Sequence, residues 1–328
     1  MRVVFPDDWN GVFEAAPEIA RLRQRVEVIT HRVRPDDLAG ALKAADIAIA
    51  LRERTSYDTA LLEQLPNLKL IVSVGGDWNP SIDKDTALAR GIMVCHTSGA
   101  IPSVGSAYAG HNPSMVEMTI GMMISAMREF GEQDRALRNG EWPGAQGRVL
   151  YGKTLGIVGL GRLGTQVANA ARFFGMRIIA AGLTLTPERA EKAGAEFRTL
   201  PELFSEADVI SINLKLTPET RGVIDSSLLN RMKPGALLVN TARGPIVDEA
   251  DLLSALQQKR IRAALDVYDQ EPLPADHPLR KTEGTLLLAH CGWPTDDGYA
   301  RMIPETVAVI GAFLDGAPIN VEGKAAVL

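Results

Sequence analysis

Three segments of this 328-residue chain place charged side chains just after short apolar runs. They are Asn240-Thr-Ala-Arg243-Gly-Pro-Ile-Val-Asp248, Ala264-Leu-Asp266-Val-Tyr-Asp-Gln-Glu271-Pro272 and Leu288-Ala-His290-Cys-Gly292. An arginine, a glutamate and a histidine together suit the reduction of a 2-oxo acid. The planar fork of Arg243 can clamp a carboxylate. His290 can give a proton to the carbonyl oxygen, with Glu271 holding the imidazole and favouring its charged form. Singly, each has a structural explanation: a surface ion pair for Arg243, a turn residue for Glu271, a satisfied core histidine for His290. Their coincidence argues for chemistry.

A fourth segment strengthens that argument. Gly159-Leu160-Gly161-Arg162-Leu163-Gly164 lies between an apolar strand, Leu155 to Val158, and a helix, Gln166 to Phe174. In such a loop the first glycine permits a tight turn, the second lets backbone approach a pyrophosphate, and the third allows close packing of helix on strand. The pattern predicts a dinucleotide site; a plain structural turn is the alternative. An acid that bonds the adenosine ribose belongs about twenty residues on. Here the next strand ends Ile179-Ala-Ala-Gly182-Leu-Thr184, without one. A carboxylate ~4 Å from a ribose 2′-phosphate costs about 4 kcal/mol at an effective dielectric of 20, and that barrier is missing. Thr184, Thr186 and Arg189 can hold a phosphate there, or Thr186 can cap a helix and Arg189 face solvent. Both NAD and NADP stay open.

The elements that must position these groups are readable as an alternation. Val3 to Phe5, Val26 to Ile29, Ile47 to Leu51, Leu70 to Val72 and Ile92 to Val94 read as strands, nearly continuous in apolar character as in sheets covered on both faces. Helices are expected over 14–24, 36–45, 58–64 and 83–90. After a Gly-, Ser- and Pro-containing stretch, 98–113, an apolar helix spans Ser114 to Arg128. A second series of strands follows at 155–158, 177–180, 209–212, 237–239, 263–267 and 286–288. Thr186-Pro187 and Asp248 mark helix starts. The alternation predicts an α/β chain of parallel strands with right-handed crossovers. A last helix runs from about Asp296 to Leu314, and spacing alone does not assign it to a domain.

Composition narrows the class. The length fits about two domains of ~150 residues. With 46% hydrophobic and 23% charged residues the chain is globular, not disordered or fibrous. A formal net charge of −5 argues against a nucleic-acid partner. Two cysteines cannot build a disulfide framework, which points to a reducing compartment. The first residues, MRVVFPDDWNG, lack a basic-then-apolar signal, and the greasiest run, Met118 to Met127, is about half the ~20 residues that cross a bilayer. A cytoplasmic protein with no membrane partner is expected. No His, Cys and Asp spacing suggests zinc. His31 and His277 fall in polar loops and are expected to be solvated. His96 follows a strand and can face a cleft. Cys291, next to His290, suggests sensitivity to oxidation.

The segments 159–164, 216–225 (LTPETRGVID), 232–256 (MKPGALLVNTARGPIVDEADLLSAL), 264–274 (ALDVYDQEPLP) and 289–290 make the chain resemble the D-isomer-specific 2-hydroxyacid dehydrogenases over nearly its whole length. The resemblance implies two doubly wound parallel-sheet domains, a flavodoxin-like substrate domain and a Rossmann cofactor domain, with a cleft between them. It makes the substrate domain discontinuous, 1–100 with 293–328, and the NAD(P)-binding domain 101–292. It implies Arg243 as substrate clamp, Glu271 as histidine partner and His290 as the acid–base group. It also implies Asp266 at the nicotinamide carboxamide, Thr241, Ala242 and Arg243 lining the cofactor, and the amides of Arg162 and Leu163 on the pyrophosphate. Val74, Gly75 and Gly76 match the loop whose N–H groups hold the substrate carboxylate. A homodimer through the cofactor domain is implied, with contributions from the helix bearing Met115, Met118, Met122 and Met123 and from an arm, Leu137 to Val149. Those methionines are read as core or interface filler.

Two loops depart from the family pattern. Gly76 is followed by Asp77-Trp78-Asn79-Pro80, and an insertion spans 99–112 with Tyr108 and His111. Trp78 and the insertion are expected to reshape the pocket for a bulkier or more apolar substrate; a surface insertion without catalytic consequence is the alternative. Two other functions stand beside the dehydrogenase. One is formate-type oxidation without proton transfer, which the Glu271–His290 pair disfavours. The other is a dinucleotide-sensing, corepressor-like binding protein.

Overall fold

The computed structural model describes residues 1–75, 79–97, 113–144 and 146–322. The chain divides into two compact units, Met1–Ala109 with Pro294–Leu328, and Gly110–Trp293.

In the first unit, β1 (Arg2–Phe5), β2 (Glu27–Thr30), β3 (Ile47–Leu51), β4 (Leu70–Val74) and β5 (Met93–His96) form a parallel sheet in the order β2-β1-β3-β4-β5. Every residue of β3 and β4 is buried, as their unbroken apolar runs require. The helices are short and sharply capped. Asp37, Asp58 and Asp83 each accept a backbone N–H three residues on. The helix expected over 14–24 is two, Val12–Ala15 and Pro17–Leu22. Pro17 has no N–H with which to continue the first helix, and it opens the second at N1. The terminal helix Asp296–Leu314 packs on β4, β5 and the helix Pro17–Leu22.

In the second unit, seven parallel strands follow: β6 (Thr154–Val158), β7 (Arg177–Ala181), β8 (Glu196–Phe197), β9 (Val209–Ile212), β10 (Leu237–Asn240), β11 (Arg262–Leu265) and β12 (Thr285–Leu287). Their order is β12-β11-β10-β9-β6-β7-β8, so the direction of winding reverses between β6 and β9. Leu238 and Ile210 enter one hydrophobic core, and Leu237, Val239 and Ile157 the other, on the two faces of the sheet. Ligands of such sheets sit beyond the carboxyl ends of the strands at the reversal.

Three features of this unit differ from expectation. The helix after the glycine loop is Arg162–Phe173, beginning four residues early because Gly161 is its N-cap. β8 and the helix Leu200–Glu206, which starts at a Thr199/Glu202 capping box, went unread in the sequence. Leu137 belongs to a helix, Phe130–Arg138, set off from Pro113–Arg128 by Glu129 at φ 58°, so the first part of the expected arm is helical.

Candidate active site

β10, β11 and β12 lie side by side and end together, which is how residues far apart in sequence meet. β10 ends at Asn240, 1% exposed. Its side-chain oxygen accepts the N–H of Ala242 at 3.0 Å and its amide donates to the carbonyl of Arg243 at 2.9 Å. One side chain thus closes the turn carrying Arg243. The Asn240 carbonyl accepts the N–H of Asp266 at 3.0 Å, tying this turn to the end of β11. Arg243 is half-buried and extended, and its Nη1 donates to the carbonyl of Ala242 at 2.6 Å. At Gly244 a Cβ would stand 2.0 Å from the carbonyl carbon of Tyr268. The missing side chain lets the Arg243 turn lie directly on the segment leading to Glu271.

Tyr268 fastens that segment, donating its hydroxyl to the carbonyl of Leu288 at 2.7 Å. Glu271 accepts from two directions: the N–H of Tyr268 reaches Oε1 at 2.9 Å, and His290 Nδ1 lies 2.6 Å from Oε2. Burial pushes the Glu271 carboxyl up, but hydrogen bonding and charge from His290, the Tyr268 N–H and the Arg243 charge outweigh it and hold the group below its ordinary value. An ionised carboxylate only accepts, so Nδ1 carries the proton and Nε2 is the ring nitrogen left for exchange.

His290 has φ 52°, in the left-handed region that non-glycine residues rarely adopt. The residues after it explain how it is held. Cys291 and Gly292 donate their N–H groups to the two carboxylate oxygens of Asp266, at 2.8 and 3.0 Å. Asp266 is 0% exposed, and burial, against those bonds and the nearby His290 charge, raises its carboxyl. In this conformation both oxygens of Asp266 grip the backbone beside His290. Thr241, also buried, places its hydroxyl 3.1 Å from that of Thr119 on the helix Pro113–Arg128. Ala242 is 9% exposed, its N–H already taken by Asn240.

The glycine loop fits a pyrophosphate. Gly159 has φ 96°, and a Cβ on Gly164 would lie 2.2 Å from the carbonyl oxygen of Gly159. A Cβ on Gly161 would meet nothing within 4 Å, so backbone there faces open space. Gly161 caps its helix without a side-chain bond, which leaves the first-turn N–H groups of Arg162, Leu163 and Gly164 without a side-chain acceptor from the cap. Gly182 follows β7. Thr186 does cap a helix, accepting from the N–H of Arg189 at 3.3 Å, and Arg189 Nη1 donates to the carbonyl of Thr184 at 2.7 Å.

Other predicted residues fare differently. Val74 ends β4 and is 1% exposed. Gly75, at φ 119°, already donates its N–H to Thr97 Oγ1 at 2.9 Å, so that amide is committed within its own unit. Gly76, Trp78 and the 99–112 insertion lie outside the described residues. His277 is not solvated. It accepts the N–H of Leu279 at 3.3 Å, contacts Glu249 at 3.0 Å and has a side chain only 16% exposed. His96 Nδ1 lies 3.2 Å from the carbonyl of Thr97, and His31 is half-buried. Burial, the Asp266 charge and a hydrogen bond to it push the Cys291 thiol up, against the expected oxidation sensitivity. Met122 and Met123 are core residues. Asn240, Gly244 and Tyr268 were missed as site residues. An asparagine two residues before the amide it accepts is the one local signal, an Asx-type turn.

Known proteins resemble this chain over most of its length. The sequence profile of the family described as D-isomer specific 2-hydroxyacid dehydrogenase, NAD binding domain, matches residues 120–292. The glyoxylate reductase of Aeropyrum pernix is 36% identical over 289 residues, 85% of this chain and 82% of that protein. The D-3-phosphoglycerate dehydrogenase of Mycobacterium leprae is 35% identical over 294 residues, 87% of this chain but 53% of its own length, so the chain spans about half of that relative. Among solved structures, a phosphoglycerate oxidoreductase from Vibrio cholerae superimposes with TM-score 0.87 at 30% identity, covering 97% of this chain and all (100%) of that one. The NAD complex of a formate dehydrogenase from Staphylococcus aureus does so with TM-score 0.81 at 25% identity, covering 99% of this chain and 100% of that one. The chain belongs to the D-isomer specific 2-hydroxyacid dehydrogenase family.

Proposed function

We propose that the protein is an NAD(P)-dependent oxidoreductase interconverting a 2-oxo acid and a D-2-hydroxy acid. The observation that carries this reading is the 2.6 Å contact of Glu271 Oε2 with His290 Nδ1, on a segment that also bears the Arg243 turn. A formate-type oxidation, with no proton to move, has no use for such a pair.

Arg243 holds the substrate carboxylate, supported by the Asn240 clamp that fixes its turn. Gly159, Gly161 and Gly164 with the amides of Arg162 and Leu163 hold the pyrophosphate, and Thr184, Thr241, Ala242 and Asp266 border the rest of the cofactor site. Bound NAD(P)H supplies the hydride that adds to substrate C2. The proton for the developing alkoxide comes from His290 Nε2, and the two additions complete the hydroxy acid. Glu271 stays ionised throughout and steadies the imidazolium before transfer. In the oxidative direction His290 Nε2 takes the hydroxyl proton. Val74 and Gly75 are assigned to the substrate side with Gly76 and Trp78. Both cofactors are accepted, because Gly182 stands where a 2′-phosphate would meet an acid.

Two further assignments accompany this reading. A homodimer through the cofactor unit is supported by Phe130, Leu137, Trp142 and Val149, which are 51–90% exposed although large and apolar. A cytoplasmic setting is supported by two free thiols, Cys95 and Cys291. Among the described residues no helix is long and apolar enough to cross a membrane.

The test is oxidation of NADH and of NADPH with glyoxylate, pyruvate, hydroxypyruvate and phenylpyruvate, with formate plus NAD as the opposing arm. Turnover of at least one 2-oxo acid is expected with both cofactors. Turnover of formate alone, or cofactor binding with none, overturns the reading.

A further inference from the structure

The mechanism leaves unused a buried acid in the first unit. Asp7, just past the carboxyl end of β1, is 1% exposed, and its Oδ2 accepts the hydroxyl of Thr55 at 2.5 Å. Thr55, 0% exposed, closes the turn 52–55 that follows β3. Asp7 and this turn flank the point where the sheet order reverses, between β1 and β3. Arg54 of the turn donates Nη1 to the Asp7 carbonyl at 2.9 Å and lies 4.3 Å from the centre of the Trp9 ring. Arg34, after β2, donates to the Arg54 carbonyl at 2.6 Å.

The other end of the turn meets β4. Arg52 sits at φ 55°, another non-glycine residue in the left-handed region. Its N–H donates to the Val74 carbonyl at 3.1 Å, its Nη1 to the Gly75 carbonyl at 3.0 Å, and its own carbonyl accepts from Asn79 at 2.8 Å. At Gly75 a Cβ would stand 2.5 Å from Arg52 Nε, so the guanidinium lies flat against that glycine. A conformation of this kind persists only where its surroundings over-determine it. Arg52 is fixed by β4 on one side and by the anchored end of its turn on the other.

We propose that Asp7 is a positioning residue for the end of β4: by anchoring Thr55 it holds the turn 52–55 taut, so that Arg52 sets the backbone of Val74 and Gly75. The effect on catalysis rests on the assignment of Val74 and Gly75 to the substrate side. Asp7 touches no reacting atom. Its loss slackens the grip on the 2-oxo acid and leaves hydride and proton transfer unchanged.

Asp7→Ala and Thr55→Val each remove the hydrogen bond, and Asp7→Asn keeps an acceptor of the same shape. Both disrupting variants are expected to raise KM for glyoxylate and phenylpyruvate about tenfold, with kcat and the KM for NADH within twofold of wild type; Asp7→Asn restores the 2-oxo acid KM to within twofold. Amide hydrogen exchange in the unliganded protein should quicken at residues 52–55 and 75 in the same two variants and not in Asp7→Asn. Unchanged KM and unchanged exchange in a folded Thr55→Val protein overturn the proposal, as does an Asp7→Asn variant as impaired as Asp7→Ala. A wild-type protein that turns over no 2-oxo acid refutes the functional reading alone. The exchange measurement still decides whether Asp7 holds the turn.

Discussion

Asp7→Asn should make the protein more stable at neutral pH and leave it almost unchanged in mild acid. Burial lifts the Asp7 carboxyl from 3.8 to about 6, against the Thr55 hydrogen bond and the charges of Arg54 and Arg34, with a smaller push from Asp8. The Tyr57 phenol, fully buried nearby, is itself raised partly by the Asp7 charge. A carboxyl that binds its proton more tightly folded than unfolded favours folding while protonated and opposes it once ionised. Stability is therefore lost as pH rises from about 4 to about 6, and the interval amounts to about 3 kcal/mol. At 1% exposure there is no solvent screening to discount. The asparagine does not titrate, so the difference between variant and wild type grows with pH by that amount. Between pH 4.5 and 7.5 about 2 kcal/mol of this change falls, and urea unfolding of both proteins at those two values, followed by tryptophan fluorescence, measures it. A difference that changes by less than about 0.5 kcal/mol between the two pH values, or that grows toward acid, refutes the reasoning that this carboxyl is buried against its charge.

Other outcomes follow from the second unit. His290→Ala should lower kcat for 2-oxo acid reduction by a factor of about 10² to 10⁴ while NADH affinity by fluorescence titration stays within a few-fold; full turnover would remove His290 from proton transfer. Asn240→Ala leaves a buried N–H and a carbonyl without their partner, so a loss of about 1–3 kcal/mol in stability is expected together with a raised 2-oxo acid KM; a change in melting temperature without one in KM would detach Asn240 from Arg243. Gly182→Asp should shift preference toward NAD, with about 4 kcal/mol as the ceiling on discrimination against the 2′-phosphate, and an unchanged ratio of kcat/KM for the two cofactors would place the ribose elsewhere.

Much of the candidate site is legible in the chain alone, for a simple reason. Parallel strands end on one edge, so the residues just after β10, β11 and β12 must converge wherever they fall in the chain. Arg243, Glu271 and His290 are of that kind, and the glycine loop follows the parallel strand β6. What escaped was set by contacts that no local pattern announces. The N–H of Gly75 is taken by Thr97, a residue on the far side of another helix in sequence. His277 reads as a loop residue until Glu249 is found beside it. Asp266 has the position of a ligand-facing acid, and only the fold shows Cys291 and Gly292 closing over both its oxygens. Boundaries slipped where one residue changes the backbone rule, at Pro17 and Gly161.

His290 is anchored twice from the same neighbour. Glu271 orients its ring and Asp266 seizes the backbone behind it, and both belong to the stretch that leaves β11. The histidine is thus surveyed from the adjacent strand, not from β12, which is only three residues long. Such a pair works as a portable cassette. Its alignment travels with residues 262–292, so changes made outside that stretch leave both anchors of His290 in place.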